Sequence, residues 1–138
     1  MPRRSSSRLA KPLATPGTPG AFYRNLRLVA IDGTSLDVSD SPSNLEHFTK
    51  PATPIGEAAF AKVRIIALSE CGTHAIIAAA PGPYTVGEQI LAREIIPSLE
   101  KGMLCLADRG FFGYDLWKAA AEMSTDMTKC MKLSLTKS

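Results

Sequence analysis

The chain has 138 residues, of which 45% are hydrophobic and 21% charged, and its formal net charge is +3. These values are typical of one soluble globular domain with a real core. No apolar run reaches the roughly 18 residues of a membrane-spanning helix, and no secretory signal can be read. We therefore expect no membrane partner. Three cysteines without close spacing favour structural thiols in a reducing cytoplasm.

The charges are distributed unevenly along the chain. Residues 1–31 contain six basic residues and no acidic one, whereas residues 32–138 contain ten basic and thirteen acidic residues. A basic segment beside a mildly acidic body is typical of contact with nucleic-acid phosphates. A solvated tail has the same composition, and charge alone favours that interpretation.

The first 21 residues are rich in Ser, Pro, Gly and Thr. Such a segment lacks the apolar surface that would offset the entropy lost on ordering. We therefore predict a flexible basic arm at residues 1–21 and a folded domain at residues 22–138.

The first half of that domain reads as strands. Residues 25–31 form an apolar run typical of a central strand, with residues 36–38 as a candidate continuation. Residues 39–60 have the composition of a loop that contains a short helical turn. Two β-rich runs then flank Cys71-Gly72, which predicts a hairpin with a two-residue turn that Pro81-Gly82-Pro83 ends.

The second half alternates helix and strand. The T-x-x-E pattern from Thr85 to Glu88 predicts a capping box at the start of a helix, and Pro97 shortens its last turn. Three apolar residues recur on one face of this helix: Leu91, Ile95 and Leu99. A short apolar strand, a second helix and a final strand follow, at residues 103–107, 111–123 and 128–135.

This order predicts an α/β fold with a mixed sheet, in which antiparallel strands come first and parallel βαβ units follow, with helices on the faces. Sites in such sheets gather at the carboxyl ends of strands. Asp32 follows the first strand and Asp108 follows the strand at 103–107. If these two strands are parallel neighbours, the two carboxylates lie at the same edge.

Each aspartate has a purely structural interpretation as well. Asp32-Gly33 is a common hairpin-turn dipeptide, and Asp108 has the position of a helix N-cap. Both acids, however, precede a Gly within two residues, which allows a ligand to approach closely. Two neighbouring carboxylates repel unless a cation lies between them, and Mg²⁺ takes one or two carboxylates together with substrate phosphate oxygens. The pair therefore indicates metal-dependent phosphodiester chemistry.

Four segments together resemble the DDE transposases of the bacterial insertion-sequence-four family. They correspond to the family's first catalytic strand, its hairpin, its helix entry and its second acidic motif, at residues 28–38, 63–75, 82–88 and 106–117. The motifs follow the family's order and span roughly residues 22–135.

The resemblance implies a ribonuclease-H-like fold and a site of two Asp and one Glu that binds Mg²⁺ or Mn²⁺. It implies cleavage of DNA at transposon ends and transfer of the freed 3′-hydroxyl into target DNA. Asp32 carries over as the first catalytic, metal-binding carboxylate and Asp108 as the second. The implied partner is DNA, with self-association or an intact transposase as a further candidate, and the implied location is the bacterial cytoplasm, at the nucleoid when DNA is bound.

The family's third acid is a Glu within a Tyr–Arg–Glu–Lys pattern downstream of the second Asp. Glu94 has Lys101 seven positions later, but it precedes Asp108 and lacks the Tyr and Arg, so we reject it. Three acids follow Asp108, and none fits the pattern: Asp115, Glu122 and Asp126. We therefore expect a catalytic domain truncated before its third ligand, with DNA cleavage by this chain alone lost or greatly reduced.

Two alternatives stay open. A catalytically dead remnant would act only as a DNA-binding or inhibitory protein. An unrelated small metal-dependent phosphotransferase would use the same two aspartates.

Overall fold

The computed structural model describes residues 7–107, Lys118 and Lys129–Lys132. Their strands and helices are, in chain order, β1 (Ser7–Arg8), β2 (Phe22–Tyr23), β3 (Leu26–Val38), α1 (Pro42–His47), β4 (Ala52–Thr53), β5 (Gly56–Glu57), β6 (Ala61–Glu70), β7 (Ile76–Pro83), α2 (Glu88–Ile95), β8 (Met103–Ala107) and β9 (Lys129–Lys132). A 3₁₀ turn, Ile96–Ser98, comes directly after α2. None of the helices in these ranges is long and apolar enough to span a membrane.

Seven of the described strands form one mixed sheet. Its order is β1-β7-β6-β3-β8-β9, and β2 pairs with β3 outside this path. The pairs β1–β7, β7–β6, β6–β3 and β2–β3 are antiparallel, whereas β3–β8 and β8–β9 are parallel. The helix α2 connects β7 to β8, as a parallel crossover requires. The prediction of a mixed α/β fold is confirmed.

The central strand β3 is longer than predicted. We expected a strand at residues 25–31 with residues 36–38 as a candidate continuation, and β3 runs without a break through Asp32 and Gly33 and stays paired with β6 as far as Val38. The hairpin-turn interpretation of Asp32-Gly33 is therefore wrong. The reason is tertiary: Asp32 lies opposite Ala67 in a continuous antiparallel ladder, so the backbone groups that a turn would redirect are paired with β6.

The core lies between α2 and one face of the sheet. In α2, Leu91 and Ile95 are fully buried as predicted, and Leu99 packs against the same cluster. Burial of a Leu or Ile side chain stabilises a fold by about 1.5–3 kcal/mol, so these positions fix the helix to the sheet. The sheet supplies the other side of the cluster from β3, β6, β7 and β8, including Val29, Ile31, Ile66, Leu68, Ala80 and Cys105.

Two local predictions fail at the ends of β7. The hairpin turn between β6 and β7 comprises residues 71–75 instead of two residues. The predicted stop at Pro81-Gly82-Pro83 comes late, because Pro81 lies within β7 opposite Ile65 and Pro83 is the last residue of the strand, opposite Val63. Among the described residues β1 pairs with β7 only at Ala78 and Ala79, so no described strand requires a backbone donor from Pro81 on the outer side of β7.

The predicted capping box is also wrong. The N-cap of α2 is Gly87, and no side chain caps it. Thr85 instead belongs to a turn that the Val86 N–H closes on the Pro83 carbonyl at 3.0 Å. The Thr85 hydroxyl, which we predicted to cap the helix, therefore lies in a separate turn before α2.

Residues 9–21, which we call the N-terminal strap, lie against the sheet. The Leu9 N–H donates to the Ile77 carbonyl at 2.7 Å, while Ala14 and Ala21 are buried. We predicted a flexible arm because the composition is poor in apolar surface, but the strap is held by backbone hydrogen bonds instead. The domain boundary between residues 21 and 22 stays a prediction.

Glu70 at the end of β6 fixes the strap. Its carboxylate is fully buried and accepts hydrogen bonds from the Leu13 and Ala14 amides at 3.0 and 2.8 Å and from the Thr73 hydroxyl at 2.6 Å. It also forms an ion pair with Arg27. Burial raises the pKa of Glu70, but these hydrogen bonds outweigh it and hold the pKa below its ordinary value of 4.5.

We expect Glu70→Gln to destabilise the chain by about 2 kcal/mol, because the amide leaves the Arg27 guanidinium without its counter-ion in a partly buried position. The free energy of unfolding from urea titration, followed by circular dichroism, measures this change. Asp37→Asn is the matched control, since its ion pair with Lys62 is exposed and we expect a change within about 1 kcal/mol.

The role of Glu70 also predicts how the stability of the chain depends on pH. A carboxylate with a lowered pKa stabilises the folded state above the unfolded pKa, and this contribution disappears as the pH falls through the folded pKa. The wild-type chain should therefore lose stability below about pH 4.5, and Glu70→Gln should lose less over the same range. Equal pH dependence of both proteins, or equal destabilisation by the two substitutions, would contradict the role assigned to Glu70.

Candidate metal centre

Asp32 lies at the level where the parallel partner strand ends. The register of β3 with β8 pairs Val29 with Cys105 and Ile31 with Ala107, which is the last residue of β8. Asp32 is thus the first residue of β3 beyond its described pairing with β8. This is the carboxyl end of the parallel pair, where sites in mixed sheets gather.

The side chain of Asp32 points away from the core. Successive side chains of a strand alternate between the two faces of a sheet. Ile31 belongs to the core cluster beneath α2, so Asp32 lies on the opposite face, where it is exposed. Its direct neighbour on β6 is Ala67, whose methyl group leaves space beside the carboxylate.

The carboxylate of Asp32 has one local hydrogen bond. Its Oδ1 accepts the Gly33 N–H at 2.8 Å, which orients the group. Within the part of the chain that the structure describes, no cation forms a salt bridge with it, whereas Asp37 pairs with Lys62 and Asp40 with Lys50. Among the aspartates of this region, Asp32 therefore keeps oxygen atoms available for a ligand.

Asp108, the second predicted carboxylate, lies outside the described residues. Its predecessor Ala107 is described and is paired with Ile31. The condition set by the sequence, that the two acid-bearing strands are parallel neighbours, is confirmed. Whether the two carboxylates meet stays a prediction.

Asp32 has the donor atoms that a divalent metal ion requires of one ligand. The oxygen atoms of Asp32 are hard donors of the type that Mg²⁺ prefers, and their exposure allows an ion with its water ligands to approach. Asp32 therefore fits as one ligand. Within residues 7–107, Lys118 and 129–132, no three acidic, His or Cys residues group together, so the described residues do not by themselves form a complete metal site.

Glu94 does not supply such a ligand. It lies on α2, which covers the face of the sheet opposite to Asp32. Its Oε2 is buried and has no hydrogen-bond partner. The position agrees with the rejection of Glu94 from its sequence order.

Sequence reasoning missed the neighbours of Asp32. Ala67 is one of several small residues in an apolar run, and only the observed register identifies it as the cross-strand neighbour. The continuation of β3 past Gly33 had a readable signal, because residues 35–38 alternate polar and apolar side chains as a half-exposed strand does.

Comparison with known proteins identifies two similar proteins of Escherichia coli (strain K12). The chain is 28% identical over 95 residues to "Putative transposase InsZ", which covers 68% of this chain and 32% of that protein. It is 30% identical over 108 residues to "Transposase InsG for insertion sequence element IS4", which covers 76% of this chain and 24% of that protein.

The matched regions cover most of this chain but only a small part of the length of each relative. The chain spans about a quarter to a third of the length of the curated relatives it matches. No protein-family model matches the chain, and no solved structure matches it. At this level, the chain is similar in sequence to insertion-sequence transposases over two thirds to three quarters of its length.

Proposed function

We propose that the chain is part of the catalytic domain of a DDE transposase of the insertion-sequence-four family, which acts on DNA. The observation that carries this proposal is the parallel register of β3 and β8, in which Ile31 lies opposite Ala107. The next residue of each strand in the sequence is an aspartate, Asp32 and Asp108. The sequence similarity to two transposases supports the same proposal independently.

The sheet supports a ribonuclease-H-like fold. The resemblance implies antiparallel strands followed by parallel βαβ units, and β3, β6 and β7 are joined in that antiparallel manner. The strands β8 and β9 then add in parallel on the other side of β3. In this arrangement β3 is the central strand that carries the first acid.

We propose that Asp32 and Asp108 hold Mg²⁺ or Mn²⁺. When bound, such an ion would offset the negative charge of the DNA phosphate and promote phosphodiester cleavage and strand transfer. The chain's own contribution is orientation: the Gly33 N–H fixes one oxygen of Asp32. Small neighbours, Gly33 on β3 and Ala67 on β6, allow a DNA backbone to approach the carboxylate.

The third ligand of the family pattern is a Glu that follows the second Asp. No Glu after Asp108 in this sequence fits the pattern. We therefore expect the 138 residues by themselves to bind the ion through two carboxylates, and to cleave DNA much more slowly than a site with three.

The first prediction of this proposal concerns metal affinity. Asp32→Asn and Asp108→Asn should each weaken Mn²⁺ binding at least about tenfold, since each removes a charged oxygen ligand. Isothermal titration calorimetry measures the change. Asp37→Asn is the control on the same strand, because its carboxylate is already paired with Lys62, and it should bind Mn²⁺ as the wild type does. Equal affinity in all four proteins would refute the site.

The second prediction concerns DNA cleavage. The wild-type chain should nick supercoiled plasmid slowly in Mn²⁺, and the activity should disappear in EDTA and in Asp32→Asn. Gel separation of supercoiled and open-circular DNA measures the rate. Nicking that survives Asp32→Asn would contradict the assignment. Metal binding at Asp32 without any nicking would favour the alternative of a non-catalytic DNA-binding or inhibitory protein.

A further inference from the structure

A groove lies at the end of the sheet opposite to Asp32. Its volume is about 840 Å³. It opens where the parallel strands β3 and β8 begin, and the Arg27 N–H donates there to the Gly102 carbonyl at 2.8 Å. Its walls come from the N-terminal strap, the start of β3 and the turn before β8, through Leu9, Ala10, Lys11, Pro12, Arg27, Glu100, Lys101, Gly102 and Met103.

The groove and its surroundings carry an excess of positive charge. Lys11 and Lys101 are exposed in its walls, and the half-buried Arg27 also lines it. Arg24 is exposed in the turn of the β2–β3 hairpin, three residues before Arg27. Among the residues that the structure describes, the carboxylates at this end are Glu100 and the buried Glu70, so four described cations lie with two described anions.

The fold restrains two of these cations, Lys11 through its backbone and Arg24 through its side chain. The strap that carries Lys11 is fixed two residues later, where Glu70 accepts the Leu13 amide. Arg24 has a φ of 46° and stacks over the Tyr23 ring at 5.4 Å from its centroid. Preorganised cations lose less entropy on binding an anion than mobile ones do.

The positive excess is local. Residues 32–107 contain nine acidic and five basic residues, so most of the described chain is unfavourable for a polyanion. At the far end of β3 the lysines are already neutralised, Lys62 by Asp37 and Lys50 by Asp40. A polyanion is therefore attracted to the groove end of the sheet.

We propose that this groove, together with Arg24, binds the phosphate backbone of DNA as a second contact distinct from the metal centre. The choice of DNA as the polyanion rests on the proposed function. An exposed Tyr23 beside Arg24 adds an aromatic face of the kind that nucleic-acid surfaces use. Leu26 and Asp32 are separated along β3 by about 20 Å. This separation along the strand keeps the groove contact distinct from the metal centre.

The test is DNA binding by the variant Lys11→Gln/Arg24→Gln in EDTA. Fluorescence anisotropy with a labelled duplex of about 20 base pairs gives the affinity between about 50 and 200 mM salt. Each phosphate contact contributes about −0.9 to the slope of log K against log salt, so the variant's slope should be shallower by about 1.8. The difference corresponds to about a tenfold change in affinity across this salt range.

The control removes the same charge elsewhere. Lys50→Gln/Lys62→Gln neutralises two lysines that are paired with Asp40 and Asp37, and it should leave the slope within about 0.5 of the wild type. Circular dichroism must show that both double variants are folded. An unchanged slope in Lys11→Gln/Arg24→Gln, or an equal loss in the control, overturns the proposal.

Two further measurements separate this proposal from others. Polyglutamate of matched charge should bind at least about tenfold more weakly than DNA, and equal binding would indicate a site for an acidic protein instead. Asp32→Asn should retain DNA binding in EDTA. If Asp32→Asn leaves the Mn²⁺ affinity unchanged while Lys11→Gln/Arg24→Gln still has a shallower salt slope, the proposed metal centre is wrong. The proposed DNA contact in the groove is then still supported.

Discussion

The fold depends on β3 as a strand shared by two different ladders. On one side β3 is paired antiparallel with β6 over ten residue pairs, from Val29 to Val38. On the other side it is paired parallel with β8 over five, from Arg27 to Ile31. Because the second ladder is shorter, the first half of β3 is paired with strands on both sides. Within the described residues, the second half is paired on one side, with β6. Asp32 lies at the boundary between the two halves.

This asymmetry separates the two functional ends of the sheet. The buried half of β3 is fixed by α2 through Val29 and Ile31, so the boundary at Asp32 cannot slip by one residue without moving those side chains out of the core. The opposite end carries Arg27 and the groove. Core packing thereby sets the distance between a carboxylate suited to a cation and a basic surface suited to an anion.

Glu70 connects the strap to this framework. It is opposite Val29 in the β6 ladder, on the core side of the sheet, and it is the buried charged residue among those described. Its carboxylate accepts from four donors, which come from the strap, β3 and the turn after β6. A segment of low apolar content is thus fixed in part by a buried polar residue 56 positions away, together with the backbone bond from Leu9 to Ile77.

The sequence predicted the mixed sheet, α2 and β8 because apolar periodicity reports burial, and burial decides these elements. It placed Asp32 correctly at the carboxyl end of the parallel pair. It failed where long-range pairing overrides a local signal: Asp32-Gly33 resembles a turn, and Pro81 resembles a strand end. It also could not predict the strap, since composition does not reveal that Glu70 will be buried beneath it.

The metal centre requires that the parallel register bring Asp32 and Asp108 to one divalent ion. Paramagnetic broadening by Mn²⁺ in ¹⁵N-labelled protein measures this proximity, because broadening falls steeply with distance from the ion. We expect sub-stoichiometric Mn²⁺ to broaden the amide signals of Gly33 and of residues 109–110 together and to leave that of Lys62 sharp. Broadening of one acid's neighbours without the other's, or broadening centred elsewhere on the sheet, would contradict a shared ion.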